Sequence, residues 1–338
     1  MNRTELRSEH GPKQREGIPR AVNRLGEYNS RVTEQQGIVW RLLDVLQEST
    51  TFLRSHGVEN PRLDAERLLA SVLECTRVGL YLAFDRPLTQ AERDRFKTLL
   101  RRRSNREPLQ YILGETEFMS LPFRVTPDVL IPRPETEVLV ERTVEEARGA
   151  GAVRILDVGS GSGALGISLA RDLPAAEVVC VDISAKALAV SQENAERNGV
   201  FERMRFIRAD LTDGSFAGLV GSPFAFVVSN PPYVSSAEWE TLAPEIRNFE
   251  PKVALVAGAD GLDCLRVLSL RTGELLLPGG TMITEIGRGQ GKAVAALLER
   301  AGFEGIHIYQ DLNGIDRVVR GKLRMGLAAV ESREPIPV

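Results

Sequence analysis

A chain of 338 residues, 43% hydrophobic and 26% charged, has room for one large globular domain or two ordinary ones. A net charge of -3 argues against a protein whose affinity rests on a polyanion, and no apolar stretch approaches the ~18 residues of a membrane span. Three cysteines (Cys75, Cys180 and Cys264) lack metal-ligand spacing, and their odd number argues against a disulfide framework, so reduced thiols, no metal centre and a cytoplasmic location are expected.

The opening "MNRTELRSEHGPKQREGIPR" has no apolar signal-peptide core, and residues 1–36 read as a disordered polar extension. From 37 to 105 the pattern is helical. "IVWRLLDVLQESTTFLRSHG" spaces Leu42, Leu43, Leu46 and Phe52 at helical intervals, with Gly57 as a stop. "PRLDAERLLASVLECT" starts on Pro61, and "TQAERDRFKTLLRRRSN" opens with Thr89 and Glu92 at capping-box spacing. A small helical bundle without catalytic side chains is predicted. Its basic end, "RRRSNR", reads as a solvated helix terminus, where cations are favoured.

Residues 106–130 alternate around Gly114 and predict a β-hairpin linking two domains. Strand and helix then alternate over 131–325. "RILDVG", "EVVCVDI", "MRFIRADL", "FAFVVSN" and "GGTMITEIG" read as strands, with "GALGISLARDL", "AKALAVSQENAERNG", "LDCLRVLSLRTGELL" and "QGKAVAALLERAG" as helices. "FEGIHIYQDLNGIDRVVRGKL" reads as two strands turning at Asn313-Gly314, so an antiparallel hairpin closes an otherwise parallel sheet. Residues 326–338 form a tail.

"ILDVGSGSGALGISLA" joins a strand to a helix through a glycine loop. Gly161, Gly163 and Gly166 satisfy the dinucleotide pattern G-x-G-x-x-G, which alone is a weak match. Asp157 ends the strand where a pyrophosphate would be repelled, so a carboxylate there suits a cationic ligand such as the sulfonium and amino group of S-adenosylmethionine. Asp182 ends the next strand and can accept hydrogen bonds from both ribose hydroxyls. Asp210 ends the third, within reach of an adenine amino group, with Leu211 against the ring. One such acid could merely cap a helix; three at successive strand ends beside a glycine loop favour a cofactor cleft. The segment resembles the Rossmann-like methyltransferases. That resemblance implies an α/β fold of class I: a seven-stranded, mostly parallel sheet with an antiparallel C-terminal hairpin, plus the small N-terminal helical domain.

"VVSNPPYVSS" ends a strand on Asn230, beside that cleft, and Pro231 and Pro232 stop the ladder at once. An amide or exocyclic amine is a poor nucleophile because its lone pair is delocalised. Two acceptors, the Asn230 side-chain carbonyl and the Pro231 backbone carbonyl, could hold both N–H hydrogens and turn the lone pair toward a methyl group. Tyr233 could stack on the planar target. A rigid turn is the plainer reading of Asn-Pro alone, and the glycine loop favours the catalytic one.

Asn-Pro-Pro-Tyr by itself cannot separate adenine N6, cytosine N4 and glutamine N5 as targets. "YILGETEFM" (111–119), "LIPRPETE" (130–137), "FEPKVAL" (249–255), "EIGRGQG" (285–291) and "LNGIDRVV" (312–319), with "PRLDAERLLA" (61–70), resemble the release factor glutamine methyltransferase (PrmC/HemK) family over residues 37–325. The resemblance implies methyl transfer to the glutamine of the Gly-Gly-Gln loop in class 1 peptide chain release factors, which the helical domain helps to bind. It carries over Gly159, Ser160, Gly161, Ser162, Gly163, Asp182, Leu211 and Asn230 as cofactor contacts, and Asn230, Pro231, Pro232 and Tyr233 as the clasp for the glutamine. Many relatives have an aromatic residue where this chain has Leu211. Arg133 and Glu135 are expected in the cleft wall as an ion pair. Two rivals remain. A nucleic-acid adenine-N6 methyltransferase predicts a basic face, against a sequence pI of about 5.9. A non-enzymatic release-factor or ribosome binder predicts decayed motifs. No sequence-specific nucleic-acid binding and no membrane association are expected.

Overall fold

The computed structural model describes residues 39–325, which fall into two compact units, one ending at Ser104 and the other beginning at Asn105. The expected extension (1–36) and tail (326–338) lie outside the described residues. No described helix is long and apolar enough to cross a membrane.

The first unit contains helices Leu42–Ser55, Pro61–Val72, Arg77–Leu82 and Gln90–Ser104. Their helical spacing buries Leu42, Leu46, Leu53, Leu68, Leu69 and Leu80, each worth about 2 kcal/mol of transfer free energy. The Thr89 capping box forms in both directions: Thr89 N–H donates to Glu92 Oε2 (2.8 Å) and Glu92 N–H to Thr89 Oγ1 (3.3 Å). Two acids are buried here, each with cationic partners. Asp64 accepts from Arg103 (2.7 Å), and Glu66 accepts from Arg62, Arg77 and Tyr81.

In the second unit Gly114 does not lie in the hairpin turn. "PLQYIL" forms a short helix, Leu109–Leu113, and Gly114 caps it in the left-handed region (φ +79). The hairpin follows, with β1 Glu115–Phe118 and β2 Leu121–Arg124 turning at Met119-Ser120. It is not a free linker. Phe118 and Phe123 are buried in the core of this unit, and the Asn194 side chain bonds both the Arg124 N–H (2.7 Å) and the Arg124 carbonyl (3.0 Å).

The main sheet comprises β3 Arg154–Val158, β4 Glu177–Asp182, β5 Met204–Arg208, β6 Phe224–Ser229, β7 Leu276–Glu285, β8 Phe303–Gln310 and β9 Asp316–Leu323. Its order is β5-β4-β3-β6-β7-β9-β8, and β9 alone runs antiparallel to its neighbours. The expected Rossmann-like sheet with a closing hairpin is therefore the observed one. Strand periodicity of two feeds both faces. Ile155, Val178, Cys180 and Val228 enter one core cluster, while Leu156, Val179, Val181 and Val227 enter the other. The strand order reverses between β3 and β6, which opens a crevice at the C-terminal ends of those strands.

Candidate active site

A cavity of about 400 Å³ lies at that crevice, within the range of small-molecule sites. Above β3 it is lined by Gly159, Ser160, Gly161 and Ser162, and at the ends of β4 and β5 by Asp182, Asp210 and Leu211. Beyond β6 it is lined by Asn230, Pro231 and Pro232. Ten of the anticipated residues thus share one wall system, although they come from four separate stretches of chain.

The glycine loop crosses the end of β4. Gly159 and Ser160 N–H donate to the Val181 carbonyl (2.8 and 3.0 Å), Gly161 N–H to Asp182 Oδ2 (2.9 Å), and Gly163 N–H to the Ser160 carbonyl (2.7 Å). Those four donors are therefore engaged inside the protein rather than left for a pyrophosphate. Asp182 Oδ1 accepts from Ser184 N–H (2.9 Å), so both oxygens brace the loop while each keeps a further lone pair for a ligand. Asp210 Oδ1 accepts from the Thr212 N–H and hydroxyl, and among the described residues no hydrogen bond is donated to Oδ2. Among the described residues the lining includes the carboxylates of Asp128, Asp182 and Asp210 and no lysine, arginine or histidine. Such a wall favours a cationic or hydroxyl-rich ligand over an anionic one.

Gly163 and Asp157, both anticipated as cofactor contacts, do not line the cavity. Gly163 is the left-handed cap of helix Ala164–Asp172, and a Cβ there would meet Ser191 Oγ at 2.3 Å. Asp157 shares its strand face with Ile155, and that parity turns it beneath the loop rather than into the crevice. It is fully buried, with Oδ2 accepting from Gly166 N–H (3.0 Å) at the helix N-terminus and Oδ1 without a partner. Burial pushes its carboxyl up to about 7, against the Gly166 hydrogen bond and with added repulsion from Asp182. Gly166 is glycine because a Cβ would meet Cys180 Sγ at 2.7 Å and Asp157 Oδ2 at 3.1 Å.

Asn230 is held from outside its own strand. Its side-chain Nδ2 donates to Thr136 Oγ1 (3.1 Å), and Thr136 Oγ1 donates to Glu285 Oε2 (2.6 Å) at the end of β7. Tyr233 OH donates to Glu285 Oε1 (3.0 Å). Tyr233 accordingly does not line the cavity: its hydroxyl is committed to Glu285 and its carbonyl accepts from Gln290 Nε2 (3.0 Å). Burial pushes the Glu285 carboxyl above its ordinary range, although the Thr136 and Tyr233 hydroxyls and the Arg317 guanidinium favour its charged form. Among the described residues no hydrogen bond is donated to Asn230 Oδ1 or to the Pro231 carbonyl.

The expected Arg133–Glu135 pair is absent. Arg133 instead donates to Glu250, a buried carboxylate that also accepts from Ile131 N–H (3.3 Å), and neither Arg133 nor Glu135 lines the cavity. Within the 3-10 turn Pro134–Thr136 it is Thr136 that faces the crevice. Glu250 sits 117 positions from Arg133, so adjacency in sequence pointed to the wrong partner. Thr136, Glu250 and Glu285 received no role from the sequence, though each lies in a quoted motif. An acid closing the apolar strand "TMITE" was the available signal for Glu285.

Residues 44–114 match the PrmC N-terminal domain family, and residues 134–246 match the methyltransferase small domain family. A release factor glutamine methyltransferase of Geobacter sulfurreducens is 46% identical over 286 residues, covering 84% of this chain and 98% of the relative. One from Chlorobaculum tepidum is 42% identical, covering 82% of this chain and 96% of the relative. Among solved structures, a methyltransferase from Pyrococcus furiosus is 16% identical and aligns over 62% of this chain and 91% of its own, with a TM-score of 0.46.

Proposed function

Because this chain belongs to the release factor glutamine methyltransferase family, we propose that it methylates the side-chain N5 of the glutamine in the Gly-Gly-Gln loop of class 1 peptide chain release factors. S-adenosylmethionine is the proposed donor; when bound, it supplies a methyl group already activated on a sulfonium sulfur. Its fit rests on the cavity itself: carboxylates at three places in the wall, no cationic side chain, and loop N–H groups already engaged. In this reading Asp182 takes the ribose hydroxyls, Asp210 the adenine amino group, and Leu211 the ring face. Asp157 acts from below, bracing the helix N-terminus by accepting from Gly166 N–H.

The observation that carries the choice of a planar NH2 target is Asn230, and the family carries the choice of glutamine over a base. With its NH2 tied to Thr136, its Oδ1 and the Pro231 carbonyl remain as two acceptors beside the cofactor wall. Together they suit the two hydrogens of one planar NH2 group. Holding both turns the nitrogen lone pair toward the donor, so alignment supplies most of the rate. The nitrogen would gain a methyl as its bond to the sulfonium sulfur breaks, leaving a neutral thioether, and the nitrogen's proton, acidic once the methyl is on, would pass to water without a strong base. Arg133 and Glu135 act on the substrate in this reading through Glu250 and the Thr136 turn rather than as a pair.

We assign the helical unit to holding the release factor. Val78, Tyr81 and Leu82 stand exposed on its helix Arg77–Leu82, an apolar surface that a protein partner would cover.

Incubation with methyl-labelled cofactor and either a release factor or DNA tests the reading. Label is expected on the Gly-Gly-Gln glutamine and should vanish when that glutamine is replaced. Label on DNA alone would identify a nucleic-acid enzyme, and failure to bind the cofactor in calorimetry would identify a binding protein; either result sinks the proposal.

A further inference from the structure

We propose that the buried carboxylate of Glu285, acting through the Thr136 hydroxyl, decides which way the Asn230 carboxamide faces, so that Glu285 and Thr136 are positioning residues for the transfer. The inference rests on the reading of Asn230 as the clasp for a substrate NH2 group.

The reasoning is one of proton counting. In its charged form, which the Thr136 and Tyr233 hydroxyls and the Arg317 guanidinium favour, the Glu285 carboxylate only accepts hydrogen bonds, whereas a threonine hydroxyl has a single proton to give. Glu285 Oε2 lies 2.6 Å from Thr136 Oγ1, and Oε1 lies 3.0 Å from the Tyr233 hydroxyl. Both hydroxyl protons therefore point at Glu285. Thr136 Oγ1 is left with lone pairs alone toward Asn230, 3.1 Å away, and only the NH2 end of that carboxamide can meet them. The Oδ1 end is turned the opposite way. Exchanging the two ends would set oxygen against oxygen in a place where Glu285 is 1% and Thr136 3% exposed, with little solvent to relieve it.

The consequence for the reaction is one of polarity. A substrate amide brings two donors to this corner and requires acceptors. An Asn230 free to rotate would present its own NH2 for part of the time, donor against donor. The polarity of the clasp is therefore set by two residues, one in the turn before helix Glu137–Ala147 and the other at the end of β7, rather than by the Asn-Pro-Pro-Tyr stretch itself. Tyr233 enters the same chain as the second donor that holds the carboxylate still.

The test compares Thr136→Val, Thr136→Ser and Glu285→Gln in single-turnover transfer to a release factor, with cofactor affinity by calorimetry and Tm measured alongside. Thr136→Val keeps the shape and removes the hydroxyl, and should slow transfer about tenfold or more with cofactor Kd unchanged within about threefold. Thr136→Ser should recover most of that loss. Glu285→Gln, which can donate as well as accept, should slow transfer in the same way. A Thr136→Val enzyme as fast as wild type overturns the inference, and so does a Thr136→Ser enzyme as slow as Thr136→Val. If wild type labels no release factor, the proposed function fails by itself and the amide is read directly. The side-chain ¹⁵N–¹H resonances of Asn230, assigned by their loss in Asn230→Asp, should move in Thr136→Val and return in Thr136→Ser. Resonances unmoved in Thr136→Val overturn the inference on that arm.

Discussion

Asn230→Ala removes one carboxamide from the corner beyond β6 and leaves the loop bonds of β3 and β4 untouched. Transfer should fall about 100-fold, as when one positioning group is lost from an active site, while cofactor affinity in calorimetry stays within severalfold. Asp182→Ala should do the reverse. It strips the acceptor from Gly161 and Ser184 N–H together, so the loop loosens and cofactor affinity should fall about tenfold or more. Asp157 predicts a dependence on pH. Its folded-state carboxyl, pushed by burial up to about 7, lies above the ordinary aspartate value of 3.8. The folded protein therefore binds the proton more tightly than the unfolded chain between those values. That contribution to stability is complete below the unfolded value and is lost as pH rises through about 7. Asp157→Asn carries no charge to bury, so its urea midpoint should gain on wild type as pH is raised from about 5 to about 8. A difference between the two proteins that stays constant across that range would contradict the assignment.

At the scale of elements, the β1–β2 hairpin holds the least expected conformation. Met119 (φ +50) and Ser120 (φ +59) both occupy the left-handed region, as a two-residue turn matched to strand twist requires. Neither is glycine or asparagine, so each carries a steric cost of about 1 kcal/mol. The cost is offset by Met119 N–H donating to Glu137 Oε1 (2.8 Å) and by the edge-on contact of Phe118 with Phe123. Ser120→Gly should accordingly stabilise the protein by about 1 kcal/mol in urea unfolding, with methyl transfer unchanged because this turn is not part of the cavity lining. The C-terminal hairpin is the opposite case. There Asn313-Gly314 announces the turn, Gly314 takes φ +74, and Asp311 Oδ1 caps the loop by accepting from Asn313 and Ile315 N–H.

At the scale of the whole molecule, the cavity is lined, among the described residues, by those of the second unit. Cofactor binding should therefore slow amide hydrogen exchange over the glycine loop, the end of β4 and the strand end at Asn230, through linkage worth about 2.7 kcal/mol at a hundredfold excess over Kd. Exchange in the helices of the first unit should change far less, and equal protection of both units would contradict a site confined to one. The order of the seven sheet strands, the closing hairpin, the glycine loop and the Asn-Pro corner were legible in the sequence because each is a local pattern. Periodicity, turn chemistry and a proline's missing donor act over a few neighbouring residues. The face taken by Asp157, the pairing of Arg133 with Glu250 and the chain Asn230–Thr136–Glu285–Tyr233 were not legible. The Arg133 pairing and the three bonds of that chain join residues 52, 94, 117 and 149 positions apart. A buried hydrogen bond takes its partner from whatever the packed strands bring within about 3 Å, and spacing along the chain carries no record of that distance. Sequence alone determined which chemical groups this protein carries to the sheet edge; tertiary structure alone decided which of them face the cavity and which hold the others in place.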